Sequence, residues 1–113
     1  MADERLCWLP ATELAAAIRR KRVSPVEVVD AILERVERIN PKLNAFVTLT
    51  DEAARREAKA AERALMKRRA VLGPLHGVPF SVKDLVNTKG GPRSARRSTA
   101  TTCRPRTRRW SSV

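Results

Sequence analysis

The first half of the chain alternates apolar and polar residues with the period of an α-helix. Leu14, Ala17 and Ile18 lie on one helical face, which predicts a helix from Thr12 to Arg22 with Thr12 as its N-cap. A second series at helical spacing comprises Val28, Ile32, Val36 and Ile39. The two series predict neighbouring helices that each bury one face.

The second of these helices has start and stop signals. Ser24 is followed by proline at the first helical position and by Glu27 three residues after the cap, which predicts a capping box. Asn40 precedes Pro41, and a residue before proline disfavours helical backbone. The helix is therefore expected to stop near Ile39.

A third helix and two strands are predicted further along. The segment Asp51–Arg69 begins with acids and ends with bases, an order that suits the helix dipole. The β-prone run Asn44–Leu49 predicts one strand, and the alternating segment Val78–Lys83 predicts another. The Pro- and Gly-containing segment Gly73–Gly77 between them predicts a turn.

Charge is distributed unevenly over the chain. The formal net charge is +12. A charge of this size suggests nucleic-acid binding when the basic residues share one face. However, residues 1–89 hold all 12 acids and 17 of the 24 basic residues, and arginine is the only charged type in residues 90–113. No hydrophobic period continues beyond Gly90, so residues 90–113 are predicted to be a disordered basic tail. We therefore do not expect a nucleic-acid partner, and a small basic nucleic-acid-binding protein is kept as the alternative of another class.

The cysteine and histidine content limits the chemistry. Cys7 and Cys103 are far apart, and His76 is the single histidine, which excludes the usual metal sites and a disulfide framework. No signal-peptide pattern and no apolar window of membrane-spanning length is present. These features predict a cytoplasmic protein with no cofactor and no membrane partner. His76 lies in a turn without a nucleophile motif, so we expect a structural or solvated histidine.

The segment Gly73–Gly90 reads GPLHGVPFSVKDLVNTKG and resembles the signature stretch of the amidase-signature family. The runs SPVEVV and NAFVTL occur upstream in that family's order and spacing, so the resemblance covers roughly residues 9 to 90. It implies an α/β fold, of which this chain holds the N-terminal helices and the first strand or strands of a truncated, larger mixed sheet. Residues 1–89 are then an amidase-domain fragment, and residues 90–113 are the tail.

The resemblance also implies a reaction. This family hydrolyses the C–N bond of a carboxylic amide through an acyl-enzyme, with a serine nucleophile, a second serine with a cis peptide bond, and a lysine as base. Lys83 matches the lysine, and its substrate would be a small-molecule amide. Ser81 matches neither serine, and both are expected downstream. We therefore expect Lys83 to be exposed and charged, and this chain to be inactive alone.

One further interpretation within the family remains open. The A subunit of a tRNA-dependent amidotransferase uses the same signature to release ammonia from glutamine, so this chain is alternatively a fragment of such a protein. The amide substrate and the oligomeric state are not indicated by any residue pattern.

Beyond Gly90 the sequence departs from the family's pattern. A one-base shift of the reading frame permits RTTFGS directly after Gly90 and three valines near the end, which agree with the family's expected continuation. We hypothesise a single-base insertion or deletion near codon 90, in the gene or in its sequencing. The alternative is a native basic tail.

Overall fold

The structure is a computed structural model that describes residues 2–69, 71–83 and 99–102. Its elements are a 3₁₀ helix and three α-helices followed by two short strands: 3₁₀ Glu4–Trp8, α1 Ala11–Arg19, α2 Pro25–Leu43, α3 Asp51–Leu65, β1 Pro79–Val82 and β2 Thr99–Thr102. The three predicted α-helices are confirmed. The described residues are mostly helical, and they do not form the larger mixed sheet that the resemblance implies.

Helix α1 differs from the prediction at both ends. Its N-cap is Pro10, without a side-chain cap, so the assignment of Thr12 as N-cap is wrong. The helix ends at Arg19 because Lys21 adopts a left-handed backbone with φ 57°. The Lys21 and Arg22 amides then donate to the Ile18 and Ala17 carbonyl oxygens at 2.9 and 3.0 Å. This pair of bonds is a Schellman motif with lysine in the position that glycine usually occupies.

Helix α2 begins as predicted and ends later. The capping box is confirmed: the Ser24 hydroxyl accepts from the Val26 amide at 3.0 Å, and the Glu27 carboxylate accepts from the Ser24 amide at 2.8 Å. The predicted stop near Ile39 is wrong, because the helix includes Pro41 and continues to Leu43. Proline is tolerated there because it lies on an exposed face, where the carbonyl it leaves without a donor can be hydrated.

The predicted strand Asn44–Leu49 is not formed. Instead, the Asn40 side-chain amide accepts from the Phe46 amide at 2.8 Å and donates to the Phe46 carbonyl at 2.9 Å. These are the two bonds that a neighbouring strand would make. Asn44, at φ 51°, turns the chain so that Phe46 returns to Asn40. A β-prone run thus satisfies its backbone against a helix end rather than against a sheet.

Helix α3 follows Thr50 as predicted but ends at Leu65, short of Arg69. Its acids at the start and basic residue in the last turn suit the dipole. Arg55 forms salt bridges with Asp30 of α2 at 3.0 Å and with Asp51 at 3.5 Å. The exposed pair with Asp30 ties α3 to α2 weakly, since such pairs typically contribute about 0–1 kcal/mol, whereas the pair with Asp51 lies within α3.

The core consists of two small clusters of buried side chains. One joins α2 to α3 through Val29, Leu33, Ala54 and Ala58. The other joins α1 to α2 through Leu14, Ile18 and Val28, with partly buried residues packed around it, namely Leu6, Val23, Ile32, Leu65 and Val78. The alanines let α3 approach α2 closely, and Val78 brings the start of the strand region into the second cluster.

Strands β1 and β2 pair antiparallel, with Pro79 opposite Thr102 and Val82 opposite Thr99. β1 confirms the strand predicted at Val78–Lys83, although the expected common apolar face is not uniform, since Phe80 is 48% exposed while Val78 and Val82 are half-buried. β2 lies within the tail, so the prediction of a disordered tail does not hold for Thr99–Thr102. The sequence TATT favours a strand because threonine is β-branched. The rest of the predicted tail lies outside the described residues.

Candidate active site

Three helices hold the turn that leads into β1. The turn is closed by two backbone bonds, from the His76 amide to the Gly73 carbonyl at 3.2 Å and from the Val78 amide to the Leu75 carbonyl at 3.1 Å. Arg19, at the end of α1, donates to the Pro74 carbonyl at 3.1 Å. The predicted turn at Gly73–Gly77 is thereby confirmed, with the arginine as an additional anchor.

His76 anchors the same turn to α3. The side chain is buried, with 8% of its surface exposed, and Nε2 lies 2.8 Å from the Ala61 carbonyl oxygen. Because a carbonyl oxygen only accepts, Nε2 is the nitrogen that carries the proton. The prediction of a structural or solvated histidine is resolved in favour of a structural one.

Gly77 fixes how closely the turn approaches α1 and α2. Its φ of 80° lies in the left-handed region, which favours glycine. A Cβ at this position would lie 2.9 Å from Cγ of Pro25 and 3.3 Å from Cγ2 of Ile18. By contrast, a Cβ at Gly73 would meet nothing within 4 Å. Of these two glycines, Gly77 alone is therefore required both by backbone conformation and by packing.

Lys83 follows β1 directly and is exposed, as expected. Ser81 is also exposed, and within residues 2–69 and 71–83 Lys83 has no salt-bridge partner. An amine that acts as a base needs surroundings that disfavour its charged form, and burial provides them. The described residues do not bury Lys83, so any such burial must come from outside them.

The N-terminal 3₁₀ helix is joined to α2 by charged side chains. Glu4 accepts from Arg35 at 2.7 Å and from Arg38 at 2.9 Å, and the Arg35 guanidinium lies 4.4 Å from the centre of the Trp8 ring. Partial burial raises the pKa of the Cys7 thiol, an effect that Arg35 opposes and Glu4 reinforces. The sequence patterns did not reveal this cluster, because its members are spread over two elements.

Two classes of site are not found in the part of the chain that the structure describes. No group of three or more histidine, cysteine or acidic side chains is arranged to hold a metal ion among these residues. No helix within them is both long enough and apolar enough to cross a membrane.

Comparison with known proteins gives one family and several relatives. The model of the family described as Amidase matches residues 27–106. The chain is 41% identical over 92 residues to an acylamidase from Rhodococcus erythropolis, covering 81% of this chain and 19% of the relative. It is 47% identical over 78 residues to the A subunit of a glutamyl-tRNA(Gln) amidotransferase from Methylococcus capsulatus, covering 69% of this chain and 16% of the relative.

A third relative is an indoleacetamide hydrolase from Bradyrhizobium diazoefficiens, 43% identical over 82 residues, with 73% of this chain and 16% of the relative covered. The chain thus spans less than a fifth of the length of these relatives. No solved structure matches it.

Proposed function

The chain belongs to the Amidase family, and on that premise we propose that it contributes the general base, Lys83, to the hydrolysis of a carboxylic amide. The observation that supports this role is the placement of Lys83. It stands at the end of β1, in the position that matches the family's lysine, on a strand whose preceding turn is held by α1, α2 and α3.

In the proposed reaction, Lys83 takes the proton of a nucleophilic serine through a bridging serine that has a cis peptide bond. The serine oxygen attacks the amide carbon, the C–N bond breaks, and the proton passes to the leaving amine. Water then hydrolyses the acyl-enzyme. Both serines belong to the larger protein, and the exposure of Lys83 fits a site that is completed by further polypeptide. We therefore propose that these 113 residues are inactive alone.

The substrate class is proposed from the relatives. The acylamidase and the indoleacetamide hydrolase are both amide hydrolases by name, which favours a small-molecule carboxylic amide. A second candidate is the hydrolysis of glutamine's amide in an amidotransferase, favoured by the 47% identity to the A subunit of such an enzyme. Both candidates use the same lysine.

A segment exchange tests the proposal. The matched segment of the Rhodococcus acylamidase is replaced by the corresponding 92 residues of this chain, and hydrolysis of acyl amides, indoleacetamide and glutamine is measured. We expect the chimera to hydrolyse amides and the isolated chain to show no activity. A chimera that folds but hydrolyses none of these amides would contradict the proposal, as would an active isolated chain.

We also propose that the coding frame changes near codon 90. The shifted frame permits the family's expected continuation, whereas the present frame gives an arginine-rich tail. Sequencing the coding DNA from codon 80 to well past codon 113 tests this. A shifted frame that stays open and encodes a Gly/Ser-rich stretch is expected. A shifted frame that closes at once would identify a native tail.

A further inference from the structure

The turn before β1 is held by side chains that the sequence does not mark as functional. His76 binds the Ala61 carbonyl on α3, Arg19 binds the Pro74 carbonyl from α1, and Gly77 packs on Pro25 at the start of α2. His76 is the buried member of this set, with 8% of its surface exposed. The start of β1 is therefore held at this turn, and pairing with β2 holds the strand further along.

The hydrogen bonding of His76 indicates that its N–H donor, rather than its side-chain volume, holds the turn to α3. Nε2 donates to Ala61, whereas Nδ1 is buried and has no hydrogen-bond partner among the described residues. A buried polar atom without a partner carries a desolvation cost. A leucine would fill a similar space without that cost. The hydrogen bond to α3 is thus the feature that a histidine provides and a leucine does not.

Small movements at this turn are amplified at Lys83. Residues Pro79–Lys83 extend from the turn with a rise of about 3.3 Å per residue, a lever of roughly 15 Å. A rotation of about 5° at the turn therefore moves Lys83 by roughly 1 Å. A displacement of about 1 Å in a catalytic group can lower a rate by about 10²-fold.

We propose that His76 is a positioning residue for Lys83: its Nε2–H bond to Ala61 fixes the turn from which β1 carries the lysine. This inference rests on the proposed function of Lys83 for its catalytic meaning. The positioning itself is a property of the 113-residue chain, and it can be measured without any activity.

Nuclear magnetic resonance on the labelled 113-residue chain tests the proposal. In the wild type, we expect a scalar coupling across the hydrogen bond between His76 Nε2 and the Ala61 carbonyl carbon. Residual dipolar couplings of the amides of Phe80–Val82 then report the orientation of β1 relative to the helices. Absence of the coupling across the hydrogen bond would overturn the proposal.

Two variants separate the donor from the volume. His76→Gln retains an N–H near the position of Nε2, and His76→Leu retains volume without a donor. We expect β1 to keep its orientation in H76Q and to rotate by at least about 5° in H76L, with helical couplings unchanged in both. An unchanged orientation in H76L would overturn the proposal, and so would a displacement in H76Q equal to that in H76L.

If H76L does not fold, H76Q is compared with the wild type instead. A rotation of β1 by at least about 5° in H76Q, in spite of its retained N–H, would then overturn the proposal, as would absence of the wild-type coupling. Failure of the proposed function is seen in a different measurement, namely the activity of the acylamidase chimera rather than the orientation of β1. A chimera that stays active without Lys83 would reject the lysine's role and leave the measured orientation of β1 intact.

Discussion

The side-chain amide of Asn40 forms both a donor and an acceptor hydrogen bond with the backbone of Phe46, at 2.9 and 2.8 Å. One side chain at the end of α2 thus satisfies two backbone groups of the following loop. This arrangement lets α2 extend past Pro41 while the chain turns back at Asn44. The loop between α2 and α3 is held by this pair of bonds.

Asn40→Ala removes both bonds and leaves the Phe46 amide and carbonyl without these partners. We expect the free energy of unfolding to fall by about 1–2 kcal/mol, measured by urea denaturation of the 113-residue chain. Asn44→Gly is the matched control, since glycine adopts the left-handed conformation that Asn44 holds at φ 51°. An Asn40→Ala variant as stable as this control would show that the bonds do not stabilise the loop.

Gly77→Ala places a Cβ 2.9 Å from Cγ of Pro25 in a left-handed backbone conformation. The strain and the overpacking together are expected to lower stability by about 2–4 kcal/mol. Gly73→Ala has open space around its Cβ and is expected to change stability by less than about 0.5 kcal/mol. Equal losses in the two variants, in parallel thermal and urea denaturation, would contradict the described packing.

Lys21→Gly is expected to stabilise the chain. Lys21 occupies the left-handed position of a Schellman motif at φ 57°, where a side chain is disfavoured. Glycine should raise the free energy of unfolding by about 1 kcal/mol through relief of this strain. Part of this gain is offset because glycine makes the unfolded chain more flexible. The same change at Lys67, an exposed position not in the left-handed conformation, should give no gain. Destabilisation by Lys21→Gly would indicate that α1 ends differently.

The Cys7 thiol gives a prediction about pH. Its pKa is raised by partial burial and by Glu4 and lowered by Arg35, so less thiolate is present at a given pH than for a free thiol. Alkylation in a Cys103→Ser background should therefore have its midpoint above that of a free cysteine. Glu4→Gln should move the midpoint to lower pH, and Arg35→Gln should move it to higher pH. Shifts in the same direction would contradict the assigned causes.

Local signals in the sequence identified the helices and the strand that carries Lys83. The capping box at Ser24 and the Pro/Gly turn before β1 are encoded within a few residues, so they could be predicted. The conformation of Asn44–Leu49 could not be predicted, because it depends on whether a neighbouring strand or the Asn40 side chain supplies the hydrogen bonds. Local propensity alone does not decide between those partners.

In the candidate site, too, the feature encoded by a local motif was predicted and the contact between distant residues was not. The position of Lys83 in its motif was predicted from the sequence, and its exposure agrees with the structure. The role of His76 was left open, because its bond to Ala61 joins residues on two different elements, and no local pattern records that contact. The same reason explains why the contacts of Glu4 with Arg35 and Arg38 were not predicted.

Kinetics of the acylamidase chimera decide whether Lys83 acts as the general base. Lys83→Ala should lower kcat by about 10²–10⁴-fold, the usual contribution of a general base. Lys59→Ala, an exposed lysine on α3, should leave kcat unchanged. Circular dichroism of both variants verifies that they fold. A Lys83→Ala chimera with the kcat of the Lys59→Ala control would show that Lys83 is not the general base.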